Sequence, residues 1–392
     1  MIDTTPFKAV ELFCGIGGFR IATDRNSIET IWANDISPKA CRVYRDQYGS
    51  TELHEGDIWN LIESVPEHDI LTGGFPCQPF SNAGKKEGIR DIRGTLFRAI
   101  AEIIRRRRPQ YFVLENVKRL LTMENGSHFA TILACLSDLD YTIEWRLLNA
   151  MHFGLPQNRQ RVFIVGTRMD KVPRNDAVHS ILAYPGDFKG ITSGAINRIL
   201  NGSQWQPISR HLNRLPSWGC AREGRFAGAD LLHFTQANRE VRLKEILQND
   251  VPKGFDFTES TEQWLPNNTP VNKFIQGVEI LSNQAGGARM GYTIFGTEGV
   301  APTLTSTTSR HYERYKIGDR YRRLTNVEYA RIQGFPDSHC KAVSVYDQYA
   351  IYGNAVPPPM AEWVVSQIGR KSHELGIITA SERQYDLLQY AY

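Results

Sequence analysis

Apolar runs alternate with helical spacings along roughly the first 170 residues. Ala9-Val10-Glu11-Leu12-Phe13 reads as a buried strand, the turn Gly15-Ile16-Gly17-Gly18 follows, and a helical pattern starts near Phe19. A second strand over 30–33 ends at Asn34-Asp35, a helix covers 37–47, and a short strand ends near Gly56-Asp57-Ile58. Then come a strand over 69–72, a helix over 94–107, a strand over 111–114, a helix over 128–138 and strands over 141–148 and 161–167. Strands separated by helices predict a mixed, mostly parallel sheet covered on both faces. Beyond about residue 168, glycines, prolines and asparagines interrupt short apolar pieces up to about 315, which predicts a second, smaller domain. Helical patterns return over 325–333 and 348–369.

The first strand, its glycine turn and the following acid carry a ligand signature. Gly15 and Gly17 let backbone approach a bound group, and Asp35 at the tip of the neighbouring strand can accept from both hydroxyls of a ribose. This pattern indicates a nucleoside cofactor. A dinucleotide site places a third glycine where this chain has Arg20, and an arginine there would crowd the close helix packing that such a site needs. S-adenosylmethionine is therefore favoured.

Chemistry is concentrated in Gly73-Gly74-Phe75-Pro76-Cys77-Gln78-Pro79-Phe80-Ser81, directly after the 69–72 strand. Open α/β sheets work at the carboxyl ends of their strands. Prolines 76 and 79 restrict the chain around the thiol and keep it out of a helix or ladder. The loop alone leaves open whether Cys77 is an exposed nucleophile or an inert packed thiol.

Further segments decide between the two. Pro76-Cys77-Gln78, Glu115-Asn116-Val117 and Gln157-Asn158-Arg159-Gln160-Arg161 lie in that order. Phe13-Cys14-Gly15-Ile16-Gly17-Gly18 precedes them and Gly353-Asn354-Ala355-Val356-Pro357 follows. Together they resemble the cytosine-C5 DNA methyltransferase family of the bacterial, restriction-modification type, over the whole chain except its middle. The resemblance implies a seven-stranded Rossmann-like methyltransferase sheet with its last pair antiparallel. It divides the chain into a catalytic and cofactor-binding domain (1–175), a target-recognition domain (176–320), a hinge segment (321–345) and a return to the catalytic domain (346–392).

It also assigns roles. Cys77 would add to carbon 6 of a flipped-out cytosine, making carbon 5 nucleophilic toward the methyl group of S-adenosylmethionine; a soft, ionisable side chain suits that attack. Glu115 would hold or protonate ring nitrogen N3 from the tip of its strand, and Arg161 would contact O2 and orient the glutamate. Arg159 is expected nearer the phosphate or the loop, while Asn116 and Val117 shape the turn. For the cofactor, Phe13 would stack on adenine and Asp35 with Ile36 would hold the ribose side. Asp57, Ile58 and Leu96 would contact the adenine, and Asn354 and Ala355 would close the methionine end. Gln78, Ser81 and Thr303, the last within Ala301-Pro302-Thr303-Leu304-Thr305, are expected on DNA. The run 78–93, rich in Gly, Ser, Lys and Arg, has the composition of a lid over the flipped base. Cys14 stands where the family commonly has a smaller residue, and Pro357-Pro358-Pro359 is richer in proline than usual.

Composition changes little. The chain has 392 residues, 41% apolar, with a net charge of +4. Between 174 and 300 thirteen Lys or Arg face twelve Asp or Glu, so no basic patch is legible where the family reads DNA. Arg105 to Arg108 end a helix, a place where cations usually compensate the dipole. The six cysteines form no CxxC pair or metal-ligand spacing, so no metal site is expected and a reduced, cytoplasmic protein is. No leader pattern or membrane span is legible. The expected partner is double-stranded DNA, with a cognate restriction endonuclease in the same system; one flipped base per enzyme makes a monomer sufficient. Rival readings are a tRNA cytosine-C5 methyltransferase, though the Cys-Phe-Thr of that branch is absent, an inactive DNA-binding relative, and a small-molecule methyltransferase.

Overall fold

A computed structural model describes residues 6–76, 96–171, 180–183, 193–201, 203–211, 213–231, 239–284, 292–306 and 313–374. Cys77, Gln78, Ser81 and the whole of the expected lid (78–93) lie outside the described residues. The alternating first part forms β1 (Lys8–Leu12), α1 (Gly18–Arg25), β2 (Glu29–Asp35), α2 (Pro38–Tyr48), β3 (Leu53–Glu55), β4 (Ile70–Gly74), α3 (Leu96–Arg107), β5 (Tyr111–Val117), α4 (Ser127–Ser137), β6 (Tyr141–Asn149) and β7 (Gln160–Arg168). Next come α5 (Ser193–Asn201), β8 (Gln206–Pro207), β9 (Trp218–Arg222), β10 (Arg225–Ala229), α6 (Glu259–Glu262), β11 (Thr269–Ile275), β12 (Val278–Asn283), β13 (Thr293–Phe295), β14 (Arg314–Ile317) and β15 (Arg320–Arg322). The chain ends in α7 (Asn326–Gln333), α8 (Val345–Asn354) and α9 (Pro358–Glu374).

The large sheet runs β3-β2-β1-β4-β5-β7-β6-β9-β10-β8. Strands β1 to β5 are parallel, and β7 is antiparallel to both β5 and β6. Its period of two explains why the strands read as unbroken apolar runs. Val10, Leu71, Phe112 and Leu114 face the core under α3 and α4; Ala9, Ile70, Tyr111 and Val113 face the one beneath α1 and α9. Each of the larger apolar side chains, Ala9 excepted, stabilises the fold by about 1.5–3 kcal/mol through burial.

The seven strands implied by the sequence are extended by three. Strand β9 pairs with β6, so residues 206–229, expected in a separate recognition unit, continue the large sheet. Packing explains it: a side chain at Gly219 would collide with the Trp145 ring, whose Nε1 donates to the Pro216 carbonyl at 2.9 Å. A second sheet, β11-β12-β13-β14-β15, takes up the five strands from Thr269–Ile275 to Arg320–Arg322. Its apolar face joins α7 and α8 in a core that also takes in Ile16 and Val43 from the glycine-turn side.

The arginines ending α3 lie at the surface, Arg105, Arg106 and Arg108 exposed, and they pair with carboxylates there: Arg106 with Glu63 and Glu102, and Arg107 with Glu67 at 3.3 Å. These partly exposed pairs contribute little stability individually.

Candidate active site and cofactor cleft

Registers place the carboxyl ends of five neighbouring strands along one edge. Asp35 lies beside Glu55, Leu12 beside Asn34 and Gly73, and Gly74 beside Glu115. At that edge Phe13 is half-buried with φ +54, a left-handed conformation that a bulky residue adopts only when its surroundings impose it. Gly15 and Gly17 follow with φ +55 and +83, which favour glycine. Gly15 N–H donates to one Asp35 carboxylate oxygen and Ser37 N–H to the other, both at 2.8 Å. Each oxygen retains a lone pair for a ligand hydroxyl. Burial raises the Asp35 pKa, against the pull of these backbone donors.

Around Asp35 the surface suits a nucleoside. A Cβ on Gly15 would meet nothing within 4 Å, and Ile36 is 65% exposed. Asn34 Nδ2 donates to the carbonyls of His54 and Gly56 and so fixes the start of the Asp57-Ile58 segment. Ile58 is buried, Asp57 is exposed and accepts from Trp59 N–H at 3.1 Å, and Leu96 packs half-buried against the same core as Ile58. From the return segment, Ala355 is buried and Asn354 exposed. Val356 wedges in beside them: a Cβ on Gly18 would strike its carbonyl, and one on Gly74 would come within 3.2 Å of its Cγ2. These residues fit an adenosine-bearing cofactor at the strand ends.

Glu115 is a residue of β5 itself, since that strand runs three residues past its expected end at 114. It is opposite Phe163 in the ladder, and Arg161 is opposite Val117, so Glu115 and Arg161 are diagonal neighbours on one face. Arg161 Nε lies 2.8 Å from Glu115 Oε1, and both side chains are 11% exposed. Burial raises the Glu115 pKa, opposed by Arg161 and then Arg159; burial lowers that of Arg161, opposed by Glu115. A buried carboxyl whose proton affinity is raised this way is suited to exchange a proton or hold a developing cation. Asn116 Nδ2 donates to the Phe75 carbonyl at 2.9 Å, which fixes the backbone two residues before Cys77.

One expected contact differs. Arg159 is 1% exposed, and its guanidinium donates to the carbonyls of Leu304 (2.9 Å), Gly353 (2.9 Å) and Ala355 (3.0 Å), so it sits away from any exposed phosphate-binding surface. Thr303 Oγ1 donates to the Asn158 carbonyl at 2.6 Å, which leaves only its acceptor lone pairs for another partner. Sequence reasoning missed Gln157 and Gln333, both fully buried and joined at 2.9 Å, and His339, which bonds Ile16. A glutamine on the apolar face of α7 was the available signal. Among the described residues no cluster of His, Cys, Asp or Glu could hold a metal ion, and no helix is long and apolar enough to cross a membrane.

Comparison with known proteins gives this arrangement a family. The chain is 34% identical over 367 residues to the type II methyltransferase M1.ScrFI of Lactococcus lactis subsp. cremoris, covering 91% of this chain and 76% of that protein. With M.HhaI of Haemophilus parahaemolyticus it shares 29% over 369 residues, covering 93% and 95%. In fold it is similar to the S. pombe Dnmt2 methyltransferase, with a TM-score of 0.59 at 16% identity over 93% of this chain and 99% of that one. Residues 7–370 match the family described as C-5 cytosine-specific DNA methylase, and the chain belongs to that family of S-adenosylmethionine-dependent DNA cytosine-C5 methyltransferases.

Proposed function

We propose that the chain methylates carbon 5 of a cytosine flipped out of a specific short duplex sequence, by way of a covalent bond between Cys77 and carbon 6. The buried Glu115–Arg161 pair, with Glu115 directly opposite the Gly74 that leads into Pro76-Cys77, carries the reading. Bound S-adenosylmethionine supplies an electrophilic methyl group on a sulfonium.

The Cys77 thiolate adds to carbon 6 while Glu115 holds or protonates N3, so the electron pair displaced from the 5,6 double bond is stabilised. Arg161 keeps the Glu115 carboxyl in place and offers a donor to O2. Once carbon 5 carries the methyl group, its proton leaves to water, the 5,6 double bond reforms and the thiolate departs. Asn116 supports the loop through Phe75. Phe13, Asp35, Ile58 and Asn354 hold the methyl donor, and Gln78, Ser81 and Thr303 face the duplex. Flipping the base costs roughly a few kcal/mol, repaid by contacts in the cleft. The relatives are named as type II methyltransferases, which supports a modification role beside a cognate restriction endonuclease.

The test is transfer of a labelled methyl group to duplex DNA and, in parallel, to tRNA, followed by bisulfite sequencing. Label confined to cytosines in one short DNA context is expected. Label in tRNA alone would overturn the substrate. DNA carrying 5-fluorocytosine should trap a covalent adduct, because fluorine at carbon 5 cannot leave as a proton does. Cys77→Ala should form none, and an adduct with that variant would refute the mechanism.

A further inference from the structure

Three chain segments meet at the entrance to β7. The first is 301–305, where Ala301 N–H donates to the Pro156 carbonyl (2.7 Å), Asn158 N–H to the Ala301 carbonyl (2.8 Å) and Leu304 N–H to Gln157 Oε1 (3.0 Å). The second is 352–355, whose Gly353 and Ala355 carbonyls accept from Arg159. Residues 157–161 form the third and continue into Arg161. A side chain on Gly353 would collide with the Thr305 carbonyl, so the first two segments also touch through bare backbone.

Arg159 is the fork between them. One terminal nitrogen serves Leu304, next to the threonine assigned to DNA, and the other serves the carbonyls flanking Asn354, assigned to the cofactor. A parallel route runs from Leu304 through Gln157 and Gln333 to the Tyr352 carbonyl. Arg159 Nε is already buried without a partner among the described residues, so withdrawal of either segment leaves a buried cation with further unpaired donors, and that cost favours both segments docked or neither. A ligand that stabilises one segment then raises the population in which the other is docked.

We propose that Arg159 is a positioning residue that couples the cofactor site to the DNA site. Methyl donor and duplex each bind more tightly when the other is present, and reciprocity makes the two enhancements equal. The inference rests on the methyltransferase reading above.

Calorimetric titration of the full chain with S-adenosylhomocysteine, with and without a duplex carrying the mapped recognition sequence, measures the coupling. For the wild type the duplex should tighten binding by a factor in the range of about 5–150. Arg159→Lys keeps the charge but not the planar fork, so binding without DNA should weaken and the enhancement fall toward one. Gln157→Asn, too short to span Leu304 and Gln333, should reduce the enhancement in part. Arg161→Lys should lose kcat while keeping the wild-type enhancement. A full enhancement in folded Arg159→Lys, or in Gln157→Asn if the lysine variant does not fold, overturns the inference, as does a wild-type enhancement near one. Absence of methyl transfer by the wild type would instead overturn the proposed function.

Discussion

At the scale of single residues, Glu115 shows how strand geometry makes a reactive group out of an ordinary carboxyl. At its place near the carboxyl end of β5 it is 8% exposed, with Arg161 as its charged partner. Glu115→Gln retains the shape and loses the proton chemistry, so kcat should fall by about 10²–10⁴ with little change in the affinity for S-adenosylhomocysteine. A variant with kcat within threefold of wild type would remove Glu115 from the mechanism. Asn116→Ala removes two side-chain hydrogen bonds, to the Phe75 carbonyl and from Val117 N–H, and should cost about 1–3 kcal/mol in denaturant unfolding while lowering kcat well beyond tenfold, because the Phe75 backbone leads directly to Cys77. The pairing of Glu115 with Arg161 was legible in the sequence because each sits in a short fixed motif. The burial of Arg159 was not, because its partners Leu304, Gly353 and Ala355 lie 145 to 196 residues away and are backbone atoms, which leave no mark on residue type.

At the scale of elements, the strands and helices of the first 170 residues were legible because each strand is covered on both faces and each helix on one. The two periods therefore differ clearly. The attachment of β9 to β6 was hidden because Trp218-Gly219-Cys220-Ala221-Arg222 pairs with a strand some seventy residues upstream, and register is set by side chains that meet only in three dimensions. Helix α7 is the opposite case, with its start written locally. Thr325 Oγ1 accepts from Glu328 N–H at 3.1 Å and Glu328 reaches back to Thr325 N–H at 2.8 Å, a reciprocal cap. Glu328 is also 0% exposed and paired with buried Arg322 at 2.7 Å. The two roles can be separated by substitution. Thr325→Ala should destabilise by about 1 kcal/mol, whereas Glu328→Ala, which strands a buried guanidinium, should cost about 3–5 kcal/mol. Equal losses in urea unfolding would show that the ion pair adds nothing beyond the cap.

At the scale of the whole molecule, two buried titratable groups join the glycine turn to distant parts of the chain, and they respond to pH with opposite signs. His339 Nε2 donates to the Ile16 carbonyl at 2.7 Å, tying the turn after α7 to the cofactor edge. Burial lowers its pKa below the usual 6.5, opposed by the Ile16 bond and by Asp46, so on acidification below about 6.5 the unfolded chain takes up the proton first and stability falls. Glu11, on β1 beneath the same turn, accepts from the Tyr44 hydroxyl at 3.1 Å; its other charged neighbours are Arg20 and Asp24 of α1. Burial pushes this carboxyl up to about 8 from an ordinary 4.5. Between those values the unfolded chain has released a proton that the folded one retains, so stability falls as pH rises through that window. Above about pH 6.5 only Glu11 of the two still acts. Glu11→Gln keeps an acceptor for Tyr44 and removes the titration, so its melting temperature relative to wild type should rise steadily from pH 6.5 to 8 and level off beyond. A difference independent of pH across that interval would mean that Glu11 is already ionised in the folded protein, with Arg20 close enough to hold the charge.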